Sequence, residues 1–332
     1  MSRLKIILIL SAIAIIGIII AISLSVRKKP EIQEPKPLPQ IEVPNYLQGD
    51  KPLIEFSLKQ QDFNFPENLG VIKAQKAPLS PEEVKTLANN FGFDFEPLVA
   101  QDAIDGLTYI YQGAEYSLVV WLEIGKINYT RNSVPEVLNK NLSNEDIKKI
   151  AQDTLTKTNL FNSEDLDFSS FVFLKDVPAQ GLYPTSKAEA KFYQVNFTSR
   201  VSNLPVLTQN PMNTPVLVRI LPDASVFNFQ IEKFTGAQIG GEYKLKNYQE
   251  VVSSSSNAVL VSLDDGNINI ADLPKGAVRE ILVSEIELAY LLESGSTKVI
   301  QPVYLLKGKA NMGSAGGINA VMYLPAIRYS LP

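Results

Sequence analysis

The segments LSPEEVKTLA (residues 79–88) and LSNEDIKKIA (residues 142–151) are similar to each other. This repeat determines the fold that we expect for the chain. Five of their ten positions are identical, and in both the serine at the second position precedes an acid by three residues. That spacing is the capping box of a helix start. Apolar residues then recur at helical spacing, so each segment predicts an amphipathic helix with one face that another layer must cover.

Strand-like runs follow both predicted helices. The first helix precedes Leu107–Gln112, Ser117–Glu123 and Lys126–Thr130, and the second precedes Phe168–Leu174 and Lys191–Arg200. The runs are rich in β-branched and aromatic residues, which favour strands. A helix laid on one face of an antiparallel sheet is the α+β arrangement. We therefore expect an α+β fold in which capped helices pack on antiparallel sheets as tandem units.

The N-terminal residues Ile6–Val26 form a run of 21 residues without a charge. A membrane-spanning helix needs ~20 mostly apolar residues, whereas the apolar core of a cleaved signal peptide is shorter. The length favours one uncleaved transmembrane helix before the folded region, although Ala21-Ile22-Ser23 is compatible with cleavage. The predicted anchor positions are Ile6, Ile15, Gly17, Ile20 and Val26.

The charge distribution indicates where the folded region lies. Basic residues flank Ile6–Val26 on both sides, so charge alone does not fix the orientation of the predicted helix. Five of the 31 basic residues and none of the 35 acids precede Pro30, which leaves a net charge of −9 in residues 30–332. That excess of acids disfavours nucleic acid as a partner. The order of segments is typical of a single-pass protein of the cell membrane with an extracytoplasmic C-terminal region.

The chain contains no cysteine and no histidine. Without cysteine there is no thiolate nucleophile, disulfide, zinc–thiolate site or iron–sulfur cluster. Without histidine there is no Ser-His-Asp triad and no imidazole metal ligand. Only oxygen chemistry, lysine chemistry or no chemistry remains, and we expect no cofactor and no metal.

Proline separates the predicted anchor from the folded region. Six of the 23 residues in 30–52 are proline, which favours an extended spacer. The predicted parts of the chain are an anchor with basic flanks (1–29), a Pro-rich linker (30–52), a helix-plus-meander unit (53–135), a helix-plus-strand unit (136–210) and a β-rich unit (211–332).

Two sets of segments resemble known families. The helix starts LSPEEVKTLA and LSNEDIKKIAQDTL are similar to PepSY-type repeats, and residues 191–207, 281–295, 299–308 and 323–328 resemble YycH/YycI-type accessory regulators. The resemblance implies one anchor helix followed by an extracytoplasmic α+β region, which in those regulators modulates a sensor kinase. It carries over no catalytic residue.

Several segments could carry chemistry, and each has a simpler interpretation. They are Ser25–Lys28 as a Ser–Lys pair, Ser253–Ser256 as a hydroxyl cluster, Asp264–Asn267 as a calcium loop, Gly313–Gly317 as a phosphate loop, Glu285 with Glu287 as a glycosidase pair, and Trp121 as a binding anchor. The two loops lack the required spacing, and the Ser–Lys pair lacks its companion motifs. We interpret Ser25–Lys28 as a basic flank, Ser253–Ser256 as a helix end and Asp264–Asn267 as a hairpin turn. We interpret Gly313–Gly317 as a connection between strands, Glu285 and Glu287 as the water-facing side of a strand, and Trp121 as a core aromatic.

The sequence therefore favours a membrane-anchored, extracytoplasmic regulatory or protein-binding module without catalysis. Its expected partners are the membrane, through the N-terminal helix, and a sensor kinase, protease or envelope complex. Two alternatives stay open. A carboxylate-dependent hydrolase of envelope polymers would need two carboxyl groups ~5–9.5 Å apart in a cleft. A scaffold subunit of an envelope assembly would use the repeats as interaction surfaces.

Overall fold

β-Strands dominate the fold. A computed structural model describes residues 38, 41, 43–102, 105–134, 142–161, 166–179, 181–209, 214–292, 299–313 and 315–328. The helices are α1 (Pro81–Asn90), α2 (Asn144–Lys157) and α3 (Tyr248–Ser254). The strands are β1 (Leu53–Phe56), β2 (Asn68–Lys76), β3 (Leu98–Asp102), β4 (Gly106–Gln112), β5 (Tyr116–Trp121), β6 (Lys126–Arg131), β7 (Leu166–Val177), β8 (Gly181–Pro184), β9 (Phe192–Val201), β10 (Leu204–Thr208), β11 (Val216–Ile220), β12 (Val226–Glu232), β13 (Phe234–Lys244), β14 (Val259–Leu263), β15 (Glu280–Leu292), β16 (Val299–Met312) and β17 (Ala315–Pro325).

Both predicted helix starts are confirmed. At α1 the Ser80 hydroxyl accepts from the Glu83 backbone N–H at 3.3 Å, and the Glu83 carboxylate accepts from the Ser80 backbone N–H at 2.8 Å. Ser143 and Asp146 form the same two bonds at α2, both at 3.1 Å. Each pair satisfies backbone donors that a helix start leaves without intrahelical partners.

Nine strands form an antiparallel sheet, here called sheet I. Its order is β3–β4–β5–β6–β12–β11–β9–β7–β8. Helices α1 and α2 cover one face, where Leu118, Ile127, Val218 and Phe229 are fully buried. This face holds the largest apolar cluster among the described residues, since both helices bury their apolar sides in it.

The other eight strands form sheet II, which is mixed. β16 pairs with β15 on one edge, and on the other edge with β17 and, at its first residues, with β2. β14 extends the sheet beyond β17, and β13 extends it beyond β2. β1 and β10 both run parallel to β15 along its outer edge. The sheets are continuous because β10 also pairs with β9 of sheet I.

The predicted fold class is wrong. The described residues form a mainly β structure in which parallel pairs make sheet II mixed, and the three helices are short. Strands of the three predicted units also pair with one another: β6 with β12, β9 with β11, and β2 with β13. The local helix signals were read correctly, but they did not reveal that the following strands join sheets shared across the chain instead of closing separate meanders.

Part of the predicted linker packs on sheet II. Ile41 is 6% exposed and belongs to an apolar cluster with Leu291 and Tyr323. Leu47 is also buried. These contacts place residue 41 and residues 43–52 on the folded unit Pro39–Pro332, so this part of the segment does not act as an extended spacer.

The predicted membrane anchor is corrected as well. Within the part of the chain that the structure describes, no helix is long and apolar enough to cross a membrane. The described helices have 7 to 14 residues, against the ~20 that a span requires. The predicted anchor positions Ile6, Ile15, Gly17, Ile20 and Val26 lie outside the described residues. A single-pass membrane architecture and a membrane partner are therefore not proposed for this chain.

Candidate functional site

A cleft of about 1010 Å³ lies between sheet I and sheet II. One wall is formed by β7 and β9, and the other by β15, β16 and β17. β10 lines the cleft where the two sheets join, and the turn Asp264–Gly266 also contributes. A concave site of this size with mixed apolar and polar lining is the default candidate for ligand binding.

The wall from sheet I carries hydroxyl groups and one ion pair. Arg200 Nη2 donates to Asp167 Oδ1 at 3.0 Å, and Arg200 Nε donates to Asp167 Oδ2. Ser170 and Thr198 lie on the same face of β7 and β9. Because both ionic side chains are more than a third exposed, the pair stabilises the fold by no more than ~1 kcal/mol. Its main effect is to give this wall a fixed charged group.

Cross-strand pairing arranges the wall from sheet II in rows. In one row, Glu285 of β15 lies opposite Lys307 of β16. In the next row, Glu287 of β15, Leu305 of β16 and Tyr323 of β17 are neighbours. The Lys307 Nζ atom lies 2.5 Å from Glu287 Oε1, so an ion pair crosses diagonally between the rows. The cleft therefore contains a charged strip along β15 and β16, and an apolar and phenolic strip toward β17.

Polar contacts continue along this wall to the turn Asp264–Gly266. Lys309 Nζ donates to Asn319 Oδ1 at 2.6 Å, and Asn319 Nδ2 lies 3.5 Å from Asp265 Oδ2. The turn has positive φ at each of its residues, as the predicted hairpin turn required. The hairpin itself is wrong, because the chain continues into a 3-10 turn at Ile270–Asp272 instead of a strand.

Tyr323 offers a hydrogen-bonding group in the cleft. Its side chain is 2% exposed, and burial raises the pKa of its phenol. Within the described part of the chain the phenol has no hydrogen-bond partner, although Tyr290 and Tyr304 of the same sheet donate to backbone carbonyls. Tyr323 lines the cleft, and its 2% exposure leaves the hydroxyl nearly covered.

The outer edge of β15 is interrupted inside the cleft. β1 pairs with Glu280–Val283, and β10 pairs with Tyr290–Leu292. Between them, no described strand pairs with this edge of Ser284–Ala289. Ser284 to Leu288 all line the cleft. This places about 20 Å of unpaired strand edge, at ~3.3 Å per residue, within a concave site.

A bulge marks the start of the unpaired edge. The pairing of β15 with β16 shifts by one residue between Val283 and Glu285, which leaves Ser284 exposed. Opposite it stands Gly308, where a Cβ atom would collide with the backbone carbonyl of Leu282. Only glycine allows this close approach of the two strands, so the bulge is specified by sequence.

The face of sheet I that is turned toward sheet II carries a buried network of amide side chains. Gln194 Nε2 donates to Asn196 Oδ1 at 2.8 Å, and Arg219 donates to Gln194 and Asn228 at 2.9 and 3.1 Å. Asn228 donates in turn to Asn128 at 2.8 Å. Burial lowers the pKa of the Arg219 guanidinium, whose hydrogen-bond partners here are amide oxygens. The network links β6, β12, β11 and β9, which makes this wall rigid.

The other predicted segments lie away from the cleft or outside the described residues. Ser253–Ser256 ends α3 as interpreted, and three of its hydroxyls donate to backbone carbonyls one turn earlier. Of the segment Gly313–Gly317, Gly313 follows β16 and residues 315–317 already belong to β17, so the interpretation as a connection between strands holds only for Gly313 among the described residues. Trp121 is half-buried beneath Lys126 at 5.0 Å, so its interpretation as a core residue is wrong. Ser25–Lys28 falls outside the described part of the chain.

Sequence reasoning placed only Glu285, Glu287 and the turn Asp264–Asn267 near this site, and it read the two glutamates as facing water. It missed Lys307, Tyr323 and the unpaired edge of β15. No local signal identifies them, because each depends on which strands pair. Among the described residues, no group of three or more acidic side chains is placed to hold a metal ion.

Comparisons with known proteins leave the family of this chain open. No protein-family model matches it, and no curated protein matches it. Among solved structures, a chain from Eubacterium rectale described as an uncharacterized protein is similar with a TM-score of 0.46 and 12% identity, over 80% of this chain and 86% of that chain. The resemblance to PepSY-type repeats and YycH/YycI-type regulators therefore stays a prediction.

Proposed function

We propose that this chain is a protein-binding module without catalysis, which holds an extended segment of its partner in the cleft between the two sheets. The segment adds to the outer edge of β15 between β1 and β10. Main-chain hydrogen bonds supply affinity in this mode of recognition, and side-chain pockets supply specificity.

The unpaired edge at Ser284–Ala289 carries the proposal. β1 and β10 lie on the same edge and run in the same direction along β15, so an added segment would complete an outer strand that is already half built. The gap accommodates about six residues at ~3.3 Å each. Exposed strand edges are usually short, charged or covered. An edge kept open within a cleft is protected from unspecific pairing and accessible to one chain.

The lining of the cleft supports a peptide as ligand. Leu305 and Tyr323, which are 7% and 2% exposed, form a buried apolar base beside the charged side chains of this wall. The Glu287–Lys307 and Asp167–Arg200 pairs offer charges of both signs on opposite walls. Such paired charges select for polar partners in a defined register more than they add affinity.

The hydrolase alternative gains no specific support. Glu285 and Glu287 lie on one strand, and Glu287 is bound to Lys307. The class of partner (sensor kinase, protease or envelope complex) and an extracytoplasmic location rest on the resemblance and stay predictions. The scaffold alternative is compatible with strand addition, and it differs only in requiring stable assemblies.

The test uses the absence of cysteine from the chain. Ser284→Cys introduces a single thiol at the exposed bulge of β15, and Ser253→Cys introduces one on α3 as a matched control. Short random peptides displayed on phage are selected on the full chain. Selected peptides are expected to slow alkylation of the cysteine at position 284 several-fold and to leave the control unchanged. Hydrogen exchange of the amides in Ser284–Ala289 should slow in parallel.

Two results would overturn the proposal. One is the failure of the full chain to enrich any peptide. The other is enrichment of peptides that protect neither the thiol at position 284 nor the amides of Ser284–Ala289, since such peptides would bind elsewhere.

A further inference from the structure

A second open strand edge lies on sheet I, away from the cleft. β3 is the first strand of this sheet, and within the described residues it pairs only with β4. Leu98 and Val99 are 69% and 63% exposed, the highest values among the large apolar side chains that the structure describes. Phe95, just before the strand, is also exposed and lies against Phe93 and Tyr111. The end of the sheet is therefore apolar as well as open.

This edge lacks the features that usually block strand addition. Natural edge strands carry lysine, proline, a bulge or an inward charge. β3 has the sequence LVAQD, with no lysine or proline, and its pairing with β4 contains no register shift. Within β3 itself, the edge is therefore open to strand addition among the described residues.

The stretch of sequence that contains this edge is acidic. Residues 86–125, which include β3, β4 and β5, contain no lysine and no arginine. They contain six acids, namely Asp94, Glu96, Asp102, Asp105, Glu115 and Glu123. A second copy of this chain would bring its own Asp94, Glu96 and Asp105 next to the same strand, and like charges across paired strands are destabilising. The charge thus disfavours a homodimer through β3 and favours a basic partner.

We propose that the β3 edge binds an extended segment of a partner protein in which apolar residues alternate along the strand and lysine or arginine residues flank it. The apolar side chains pack on Val99 and Phe95, on the face of sheet I that carries Tyr109 and Tyr111, while the flanking cations face the acids next to the strand. The strand has five residues, about 17 Å at ~3.4 Å per residue. The contact is therefore smaller than a standard interface, and the binding is weak and reversible.

The proposal is independent of the cleft and is tested on the full chain with defined peptides. The probe is Lys-Lys-Thr-Val-Thr-Val-Thr-Lys-Lys, and its matched control has glutamate in place of every lysine. NMR amide shifts report binding. The lysine peptide is expected to shift Leu98–Asp102 and to bind several-fold more weakly when the salt rises from about 20 to about 300 mM. The glutamate peptide is expected to bind about tenfold more weakly at low salt.

Val99→Lys places a lysine on the exposed edge. Because Val99 is 63% exposed, the longer side chain extends into solvent and the fold is not disturbed. The substitution should weaken binding of the lysine peptide about tenfold, because it repels the flanking cations and blocks the edge. The control Leu182→Lys introduces a lysine at an exposed apolar position of β8 and should leave binding unchanged. Equal binding of both peptides, no shift of Leu98–Asp102 at millimolar lysine peptide, or wild-type affinity in Val99→Lys would each overturn the proposal. Self-association of the chain that Val99→Lys abolishes would also overturn it, in favour of a second copy.

Discussion

Sheet I and sheet II bury their two faces in different ways. Sheet I has an apolar face beneath α1 and α2, and its other face buries amides such as Gln194, Asn196 and Asn228. In sheet II both faces are apolar where β15 ends, since Tyr290 lies in one cluster and Leu291 in another. Strands of sheet I therefore keep an alternating pattern, whereas the end of β15 reads as a continuous apolar run.

The difference shows that an alternating polar and apolar pattern along a strand does not establish that the polar side chains are exposed to water. A polar residue at every second position of a strand is usually taken to face water. In sheet I such residues face the cleft and sheet II, and they are buried because their side chains bond to one another. Burial of one apolar face already specifies strand register, and a polar buried face adds hydrogen bonds between particular side chains to that specification.

The largest expected effect tests whether the two sheets unfold together. Phe229 is fully buried in sheet I and stacks on Tyr129 at 4.9 Å between ring centroids. Phe229→Ala should lower the free energy of unfolding by about 3–5 kcal/mol in urea titrations. Amides of β16 in sheet II should lose protection against hydrogen exchange by the same free energy, because Pro39–Pro332 forms one compact unit. Unchanged protection in β16 would show that sheet II is stable by itself.

The next prediction concerns the polar face of sheet I. Asn228 donates to Asn128 and to the backbone carbonyl of Tyr129, and it accepts from Arg219. Asn228→Ala leaves these buried partners unsatisfied and should cost about 2–3 kcal/mol of unfolding free energy. The control Gln230→Ala, on the same strand, should cost less than about 1 kcal/mol. A loss for Asn228→Ala no greater than that of the control would mean that the network adds nothing to stability.

A smaller effect separates two tyrosines of sheet II. The Tyr304 hydroxyl donates to the Lys246 carbonyl at 2.8 Å, so Tyr304→Phe should cost about 1 kcal/mol. Tyr323→Phe should be nearly neutral, because the phenol at that position has no partner in the described part of the chain. Thermal unfolding of the two variants distinguishes them, and equal losses would contradict the assignment of the Tyr323 hydroxyl to the cleft.

Alkaline pH provides a related check. Burial, with a smaller contribution from the charge of Glu250, raises the pKa of the Tyr304 phenol above its usual value near 10. The stability that depends on the neutral phenol is fully present below pH 10 and is lost as the pH rises through the raised pKa. Tyr304→Phe should therefore lose less stability than the wild type above pH 10. An identical alkaline decline in both proteins would assign the loss to other groups.

An effect as small as that of Tyr304→Phe is expected at the helix cap on sheet I. Ser80→Ala removes the capping box of α1 and should cost about 1 kcal/mol. Hydrogen bonds from Ser80, the backbone bond first, hold the pKa of Glu83 below its usual 4.5. The cap contributes fully above that usual value and is lost as the pH falls through the lowered pKa. The difference between variant and wild type should accordingly shrink below about pH 4, and a constant difference would argue against the capping box.

The sequence located helix starts and many strands, but not the site. Ser80 and Ser143 were predictable because a capping box needs only four consecutive residues. The cleft was not, since Glu287 and Lys307 meet only through the pairing of β15 with β16. Tyr323 joins them only because β17 pairs with β16. Side chains that converge through strand pairing leave no local pattern in the chain.

By itself the sequence determined the helix caps, the acidic stretch 86–125, and the absence of any thiol or imidazole chemistry. These features depend on composition or on residues a few positions apart. Only the tertiary structure decided that the predicted units share two sheets, that amides of β9 and β12 are buried, and that the edge of β15 stays open in a cleft. Strand pairing joins residues that are distant in the chain, and many registers satisfy the same local preferences, so the partner of each edge is set by packing of the whole fold.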